Sequence, residues 1–158
     1  MAVTIRDMTA GDADEVCALV QANYDGVIAA WHSPEEVARL RAVVTPAWVA
    51  GQLEWSRVFV AVDERAGILA TAALADLGPA TPRRYCVRQC FVRTDHHRRG
   101  LGTRIMGHVC TAAREAGATR LHVPSSRNAV AFYRRLGFLV DEGQSDAGDE
   151  TTWMSMAL

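Results

Sequence analysis

The chain has 158 residues, 49% hydrophobic and 22% charged, with a formal net charge of -1. This is the balance of one globular domain of ordinary size, 1–158, long enough to bury a core without staples. A near-neutral charge excludes a whole-molecule basic field for nucleic acid, and no apolar run approaches the roughly 20 residues of a membrane helix. Cys17, Cys86, Cys90 and Cys110 form no Cys-x-x-Cys pair, so no metal site is expected and the thiols read as reduced, mostly buried side chains of a cytoplasmic protein. Cys86 and Cys90 are expected on one face of a strand, too far apart to bridge. The opening Met-Ala-Val-Thr-Ile-Arg-Asp lacks a secretory signal pattern.

Val3 to Met8 reads as a first strand. Thr9 to Asp12 is a turn that can cap a helix running to about Ala22, with Val16, Leu19 and Val20 on one face. Residues 23–32 read as a loop carrying Tyr24, Trp31 and His32. Ser33-Pro34-Glu35-Glu36 has a serine cap, proline at the first helical position and glutamate three residues on, the capping-box pattern. Thr45-Pro46 starts a shorter helix to about Leu53. Val58 to Val62 and Ile68 to Leu74 then read as strands of a hairpin.

Tyr85 to Val92 is the central strand, and a basic loop follows it directly: His96-His97-Arg98-Arg99-Gly100-Leu101-Gly102-Thr103-Arg104. Glycine lets backbone N–H groups press against a ligand. The first turn of a helix leaves N–H donors unpaired at the positive end of its dipole. A strand, a Gly-x-Gly loop and a helix therefore make a phosphate or pyrophosphate seat, to which Arg98, Arg99 and Arg104 add forked donors. The dinucleotide fingerprint fails because Ile105 stands where its third glycine belongs, and the Walker pattern fails for want of Gly-Lys-Ser/Thr.

The helix from Leu101 carries Leu101, Ile105, Val109, Ala112 and Ala116 in line and ends at Gly117. Arg120 to Val123 is the next strand, and strand–helix–strand of this length is a right-handed parallel crossover. Ser125-Ser126 can cap a helix running to Leu136, with Ala129, Phe132, Tyr133 and Leu136 on its buried face. Phe138 to Asp141 and Thr151 to Ala157 close the chain as strands. The order of elements predicts a mixed α/β layer structure.

His97-Arg98-Arg99-Gly100-Leu101-Gly102 resembles the Gln/Arg-x-x-Gly-x-Gly/Ala signature of the GNAT superfamily of N-acetyltransferases, with histidine at its first position. Phe132-Tyr133-Arg134-Arg135-Leu136-Gly137-Phe138 resembles the aromatic-Tyr and closing Gly-Phe of the same family. The likeness is firmest over residues 85–140 and loose over residues 20–55. It implies a mixed central sheet of about six to seven strands, flanked by helices, with a splayed parallel strand pair.

The resemblance further implies acetyl-CoA as co-substrate, with no metal. Its pyrophosphate would sit on the N–H groups of Arg98, Arg99, Gly100, Leu101, Gly102 and Thr103, with the His97 side chain still able to donate a hydrogen bond at that site. Its pantetheine arm would run beside Phe91, Val92 and Arg93, with Ser126 or Asn128 bonding it. Ser126 has helix capping as its competing role. A backbone N–H near Phe91 would bond the thioester carbonyl. Tyr133, a phenol with a pKa near ~10, would protonate the departing thiolate. Glu54, Asp76, Asp95, His96 and His122 are open as the base, none in a diagnostic pattern.

The acceptor implied is a small-molecule or peptide amine, with Tyr24, Trp31, His32 and Trp48 as candidate pocket walls. The acidic stretch Asp141, Glu142, Asp146, Asp149 and Glu150 either attracts a cationic amine or is a solvated hairpin tip. The competing reading is a non-catalytic acyl-CoA-binding or sensing module of the same fold. Nucleic acid and membrane partners are not expected, while the closing edge strand offers a surface for a homodimer.

Overall fold

The computed structural model describes residues 2–143 and 151–158; of the acidic stretch, Asp146, Asp149 and Glu150 lie outside them. Seven strands form one sheet: β1 (Val3–Asp7), β2 (Ser56–Asp63), β3 (Gly67–Asp76), β4 (Tyr85–Val92), β5 (Arg120–Ser126), β6 (Leu139–Val140) and β7 (Thr151–Ala157). Their order is β1-β2-β3-β4-β5-β7-β6. Every neighbouring pair is antiparallel except β4 and β5, which are parallel. The helices are α1 (Ala13–Gly26), α2 (Pro34–Val43), α3 (Pro46–Gly51), α4 (Leu101–Glu115) and α5 (Val130–Leu136). Among the described residues no helix is long and apolar enough to cross a membrane.

Two apolar layers pack on the sheet. On one face, Ile105, Met106 and Val109 of α4 meet Phe59, Leu69, Val87, Leu121 and Met154, all almost completely buried. On the other face, Val16, Leu19 and Val20 of α1 pack with Val37 of α2, Val49 of α3 and Ile68. Each such side chain contributes roughly 1.5–3 kcal/mol of hydrophobic stabilisation. The expected capping box at α2 is present: Ser33 Oγ accepts the Glu36 N–H at 3.2 Å, and Glu36 Oε2 accepts the Ser33 N–H at 3.0 Å.

Three local expectations need correction. First, α1 does not stop near Ala22 but runs to Gly26. Its last turn buries Asn23 and Tyr24 against β4 instead of leaving them in a loop, and the Tyr24 and Phe91 rings lie 6.0 Å apart. Second, β5 extends to Ser126, and the Ser126 side chain makes no capping hydrogen bond. Extended pairing with Thr151 holds Ser126 in the strand, and α5 begins only at Val130.

Third, Cys86 and Cys90 do not share a face. Ala73 pairs with Arg88 but Thr71 pairs with Phe91, so β4 carries one residue more than β3. Gln89, with φ +49, makes this β-bulge. An inserted residue reverses the alternation of side chains. Cys86, Arg88 and Phe91 consequently point toward the α1 side, while Val87, Cys90 and Val92 pack in the α4 layer.

Candidate cofactor and active site

A β-bulge bends its strand, and the bulge at Gln89 lies between the start of β4 and its Phe91–Val92 end. Among the described residues, the register of the parallel pair β4 and β5 is the one position Cys86 opposite His122. Beyond it the strands part, and a cavity of about 880 Å³ opens between them. Phe91 and Val92 form one wall, Val123 to Ser126 the other. Phe132 and Tyr133 of α5, the loop entering α4 and the end of α1 complete it.

The loop has the geometry of an anion seat. Arg98 at φ +63 and Gly100 at φ +77 turn the chain so that Gly100 caps α4. The first helical bond runs from the Arg104 N–H to the Gly100 carbonyl at 3.0 Å. The N–H groups of Leu101, Gly102 and Thr103 precede that bond and have no carbonyl four residues back within the helix. A Cβ on Gly102 would stand 3.1 Å from the Phe132 ring, so α4 and α5 meet here through glycine.

The basic side chains divide. Arg98 lines the cavity and Arg99 is exposed on the loop. The Arg104 guanidinium instead donates to the Val3 carbonyl at 2.7 Å, fastening α4 to β1. Arg93 pairs with Asp95 at 2.7 Å and also donates to the Ala66 carbonyl at 2.7 Å. The His97 ring lies 2.8 Å from the Val92 carbonyl oxygen, which also accepts from Asn23 Nδ2 at 2.9 Å. The expectation that the His97 side chain donates to a phosphate is thereby corrected: the ring braces the loop against the Val92 carbonyl instead.

Ser126 and Asn128 both line the cavity, and Asn128 Oδ1 is buried there with no hydrogen-bond partner. A buried orphan acceptor costs about 1–3 kcal/mol, which a ligand N–H would offset. Tyr133 is 5% exposed, with its ring edge-on to Phe132 and Phe138. Burial, and then the neighbouring Cys90 thiol, push its hydroxyl well above the usual phenol range. Burial likewise pushes Cys90 up to about 11. At neutral pH both keep their protons, so Tyr133 has the acid form a leaving thiolate needs, and Cys90 lacks the thiolate a nucleophile needs.

Of the candidate bases, His96 reaches the cavity, its Nδ1 bonded to Asp95 at 2.8 Å. Asp95 is held far below the usual carboxylate range, first by Arg93 and then by His96. Asp76 is paired with Arg84 at 2.8 Å. His122 is held below the ordinary imidazole range, first by burial, and neither it nor Glu54 is part of the cavity wall. Tyr24 and His32 line the cavity, whereas Trp31 is exposed and Trp48 borders a separate small hollow. Asp141 is engaged by Ser155 Oγ at 2.7 Å and by Arg83 at 3.5 Å. Among the described residues no Asp or Glu lines the cavity.

Sequence reasoning missed three features. Asn23 fell past the expected helix end, Gln89 carried no turn signal, and the Glu36 carboxylate that lies 3.3 Å from His32 Nδ1 was read only as a cap. The spacing His32–Glu36, one helical turn, was the available signal.

Known proteins share this architecture. PaiA N-acetyltransferase from Thermoplasma acidophilum, solved with coenzyme A, superposes with a TM-score of 0.84 at 13% identity over 100% of both chains. A GCN5-related N-acetyltransferase from Rhodopseudomonas palustris gives 0.82 at 22% identity, over 100% of this chain and 97% of that one. A GNAT family acetyltransferase from Brucella melitensis, in complex with acetyl-CoA, gives 0.68 at 19% identity, over 99% and 88%. A search of the curated proteins finds no match. The profile of the acetyltransferase (GNAT) family matches residues 20–138. With the glycine loop, the parted β4–β5 pair and Tyr133 all falling inside that span, the chain belongs to the GNAT acetyltransferase family.

Proposed function

We propose that the protein is an N-acetyltransferase that moves an acetyl group from acetyl-CoA to a primary amine of a small molecule or peptide, by direct attack in a ternary complex. The observation that carries this is the continuity of one cavity from the unpaired N–H groups at Leu101 to Thr103, along the parted edge of β4, to Tyr133. An anion at one end, an extended arm along a strand and a proton donor at the other suit a diphosphate-linked thioester.

The residues present fit acetyl-CoA, which supplies the activated acyl group. The turn from Arg98 to Thr103 would seat its pyrophosphate, and the orphaned Asn128 Oδ1 would take an N–H of its arm. Phe91 and Val92 present the strand edge, and the Val92 carbonyl is held in place from both sides by Asn23 and His97. The amine lone pair forms the new N–C bond and the C–S bond breaks; Tyr133 gives its proton to the thiolate, and the proton shed by the acylated nitrogen passes through solvent to restore Tyr133. Burial keeps the Tyr133 hydroxyl protonated at neutral pH, the form a general acid needs.

Arg88 stands in the cavity wall with its guanidinium over the Trp55 ring at 5.6 Å. With no Asp or Glu in that wall among the described residues, the lining favours an amine that also carries a negative group over a polycation. Thiol release measured over a panel of amines, including amino acids, tests the proposal. Acetyl-CoA binding without turnover of any amine would instead favour the acyl-CoA-sensing reading.

A further inference from the structure

The base that must take the proton from an acceptor ammonium has no residue assigned to it. We propose that His32, positioned by Glu36, is the general base of the acetyl transfer. This rests on the proposed acetyltransferase activity and assigns a role in that same cavity.

Three observations carry it. The His32 side chain is 3% exposed, and it lines the cavity. An almost wholly buried imidazole that borders a cavity serves as a ligand or a base more readily than as a surface charge. Its Nδ1 lies 3.3 Å from Glu36 Oε2, in ion-pair range though not aligned as a hydrogen bond. Catalytic contacts of this kind are often long before a substrate arrives and tighten when it does. The carboxylate itself is fixed, because Glu36 Oε2 is tied to the Ser33 N–H by the capping box of α2. A carboxylate on Nδ1 favours the proton there and leaves Nε2 as the acceptor.

The position of the pair also suits the task. The last turn of α1 is fastened to the end of β4 through Asn23–Val92 and Tyr24–Phe91. His32 follows after the short turn Ile28–Ala30. The Ser33 N–H first, then His32 and the positive charge of Arg127, which follows β5, hold the Glu36 carboxyl below the usual range. His32 lines the same cavity as Tyr24, Phe91 and Val92 on the β4 side and Ser125 and Ser126 on the β5 side. His96, the other imidazole in the wall from the candidate bases, has its Nδ1 engaged by Asp95 in the turn Thr94–His96.

The test compares wild type, His32→Ala and Glu36→Gln on an amine that the wild type acetylates. His32→Ala is expected to lose about 100-fold or more in kcat, to bind acetyl-CoA within about twofold of wild type, and to regain activity when imidazole is added. Glu36→Gln keeps the cap, since glutamine serves equally in a capping box. It is expected to leave Tm unchanged while lowering kcat about tenfold. Wild-type kcat in either variant overturns the proposal, as does a loss in His32→Ala that imidazole does not rescue and that acetyl-CoA binding shares. Should His32→Ala fail to fold, Glu36→Gln decides alone. Wild type that binds acetyl-CoA yet acetylates no amine overturns the parent activity and this role together. Turnover by wild type that His32→Ala matches overturns this role only.

Discussion

Asn23 reaches from the last turn of α1 to the final carbonyl of β4, with Nδ2 2.9 Å from the Val92 oxygen. The same nitrogen lies 3.0 Å from the Leu19 carbonyl one turn earlier in its own helix. This one amide therefore joins the α1 layer to the strand edge on which the coenzyme arm is proposed to pair. Asn23→Ala leaves Val92 with His97 alone and empties a site that is 4% exposed. The expected cost is about 1–3 kcal/mol in unfolding free energy, with a raised KM for acetyl-CoA. Denaturant titration and steady-state kinetics check the two halves.

Tyr133→Phe separates proton donation from packing. The ring keeps its contacts with Phe132 and Phe138, and only the hydroxyl facing Cys90 is lost. The expected outcome is kcat reduced about 10- to 100-fold with KM for acetyl-CoA changed less than about twofold. An unchanged kcat across the pH range would leave Tyr133 a core residue.

Stability depends on pH with opposite signs at the two ends. Arg6 bonds Asp12 and, with the Thr9 N–H, lowers it to about 2. A depressed carboxylate contributes stability that is complete above its unfolded pKa of ~4 and is lost as pH falls through about 2. Cys90, raised to about 11 by burial, does the reverse: its contribution is complete below the unfolded thiol value of about 9 and disappears as pH rises through about 11. Asp12→Asn should flatten the acid limb of a Tm-against-pH curve, and Cys90→Ala the alkaline limb.

Arg88→Ala addresses the acceptor. The guanidinium over Trp55 has no carboxylate partner among the described residues. Loss of an arginine–carboxylate contact of about 1.5–3 kcal/mol corresponds to a KM about 10- to 100-fold higher for amines bearing a carboxylate. Amines without one should be unaffected. Equal KM changes for both classes would count against an anionic group on the acceptor.

Much of this arrangement is legible in the amino-acid order, for identifiable reasons. β4 and α4 have strong periodicity, and Gly100, Gly117 and Gly137 mark positions where φ is positive and a side chain would strain the backbone. The glycine turn into α4 and the Ser33 cap followed from those local signals. The bulge did not, because Gln89 adopts φ +49 without being a glycine or asparagine, and tertiary pairing rather than propensity puts it there. That one residue, three after the Cys86 position at which β4 pairs with β5, moves Cys90 to the face opposite Cys86. His32 and Glu36 were each visible, yet their partnership depends on where α1 ends, and burial of Asn23 and Tyr24 carried the helix beyond Ala22. The Arg104 side chain illustrates the converse: its position in the motif suggested an anion, and a carbonyl across the sheet takes it.

The glycine loop is the proposed coenzyme seat, and calorimetric titration of acetyl-CoA into wild type and Gly102→Trp tests that directly. A tryptophan there must enter the space between the loop and Phe132, which a Cβ alone already approaches at 3.1 Å. Wild type is expected to bind with a Kd on the order of micromolar, and the variant, shown folded by its near-ultraviolet circular dichroism, to bind at least about 100-fold more weakly. No heat from folded wild type, or equal binding by the folded variant, would contradict the account and return the loop to a tight turn with solvated arginines.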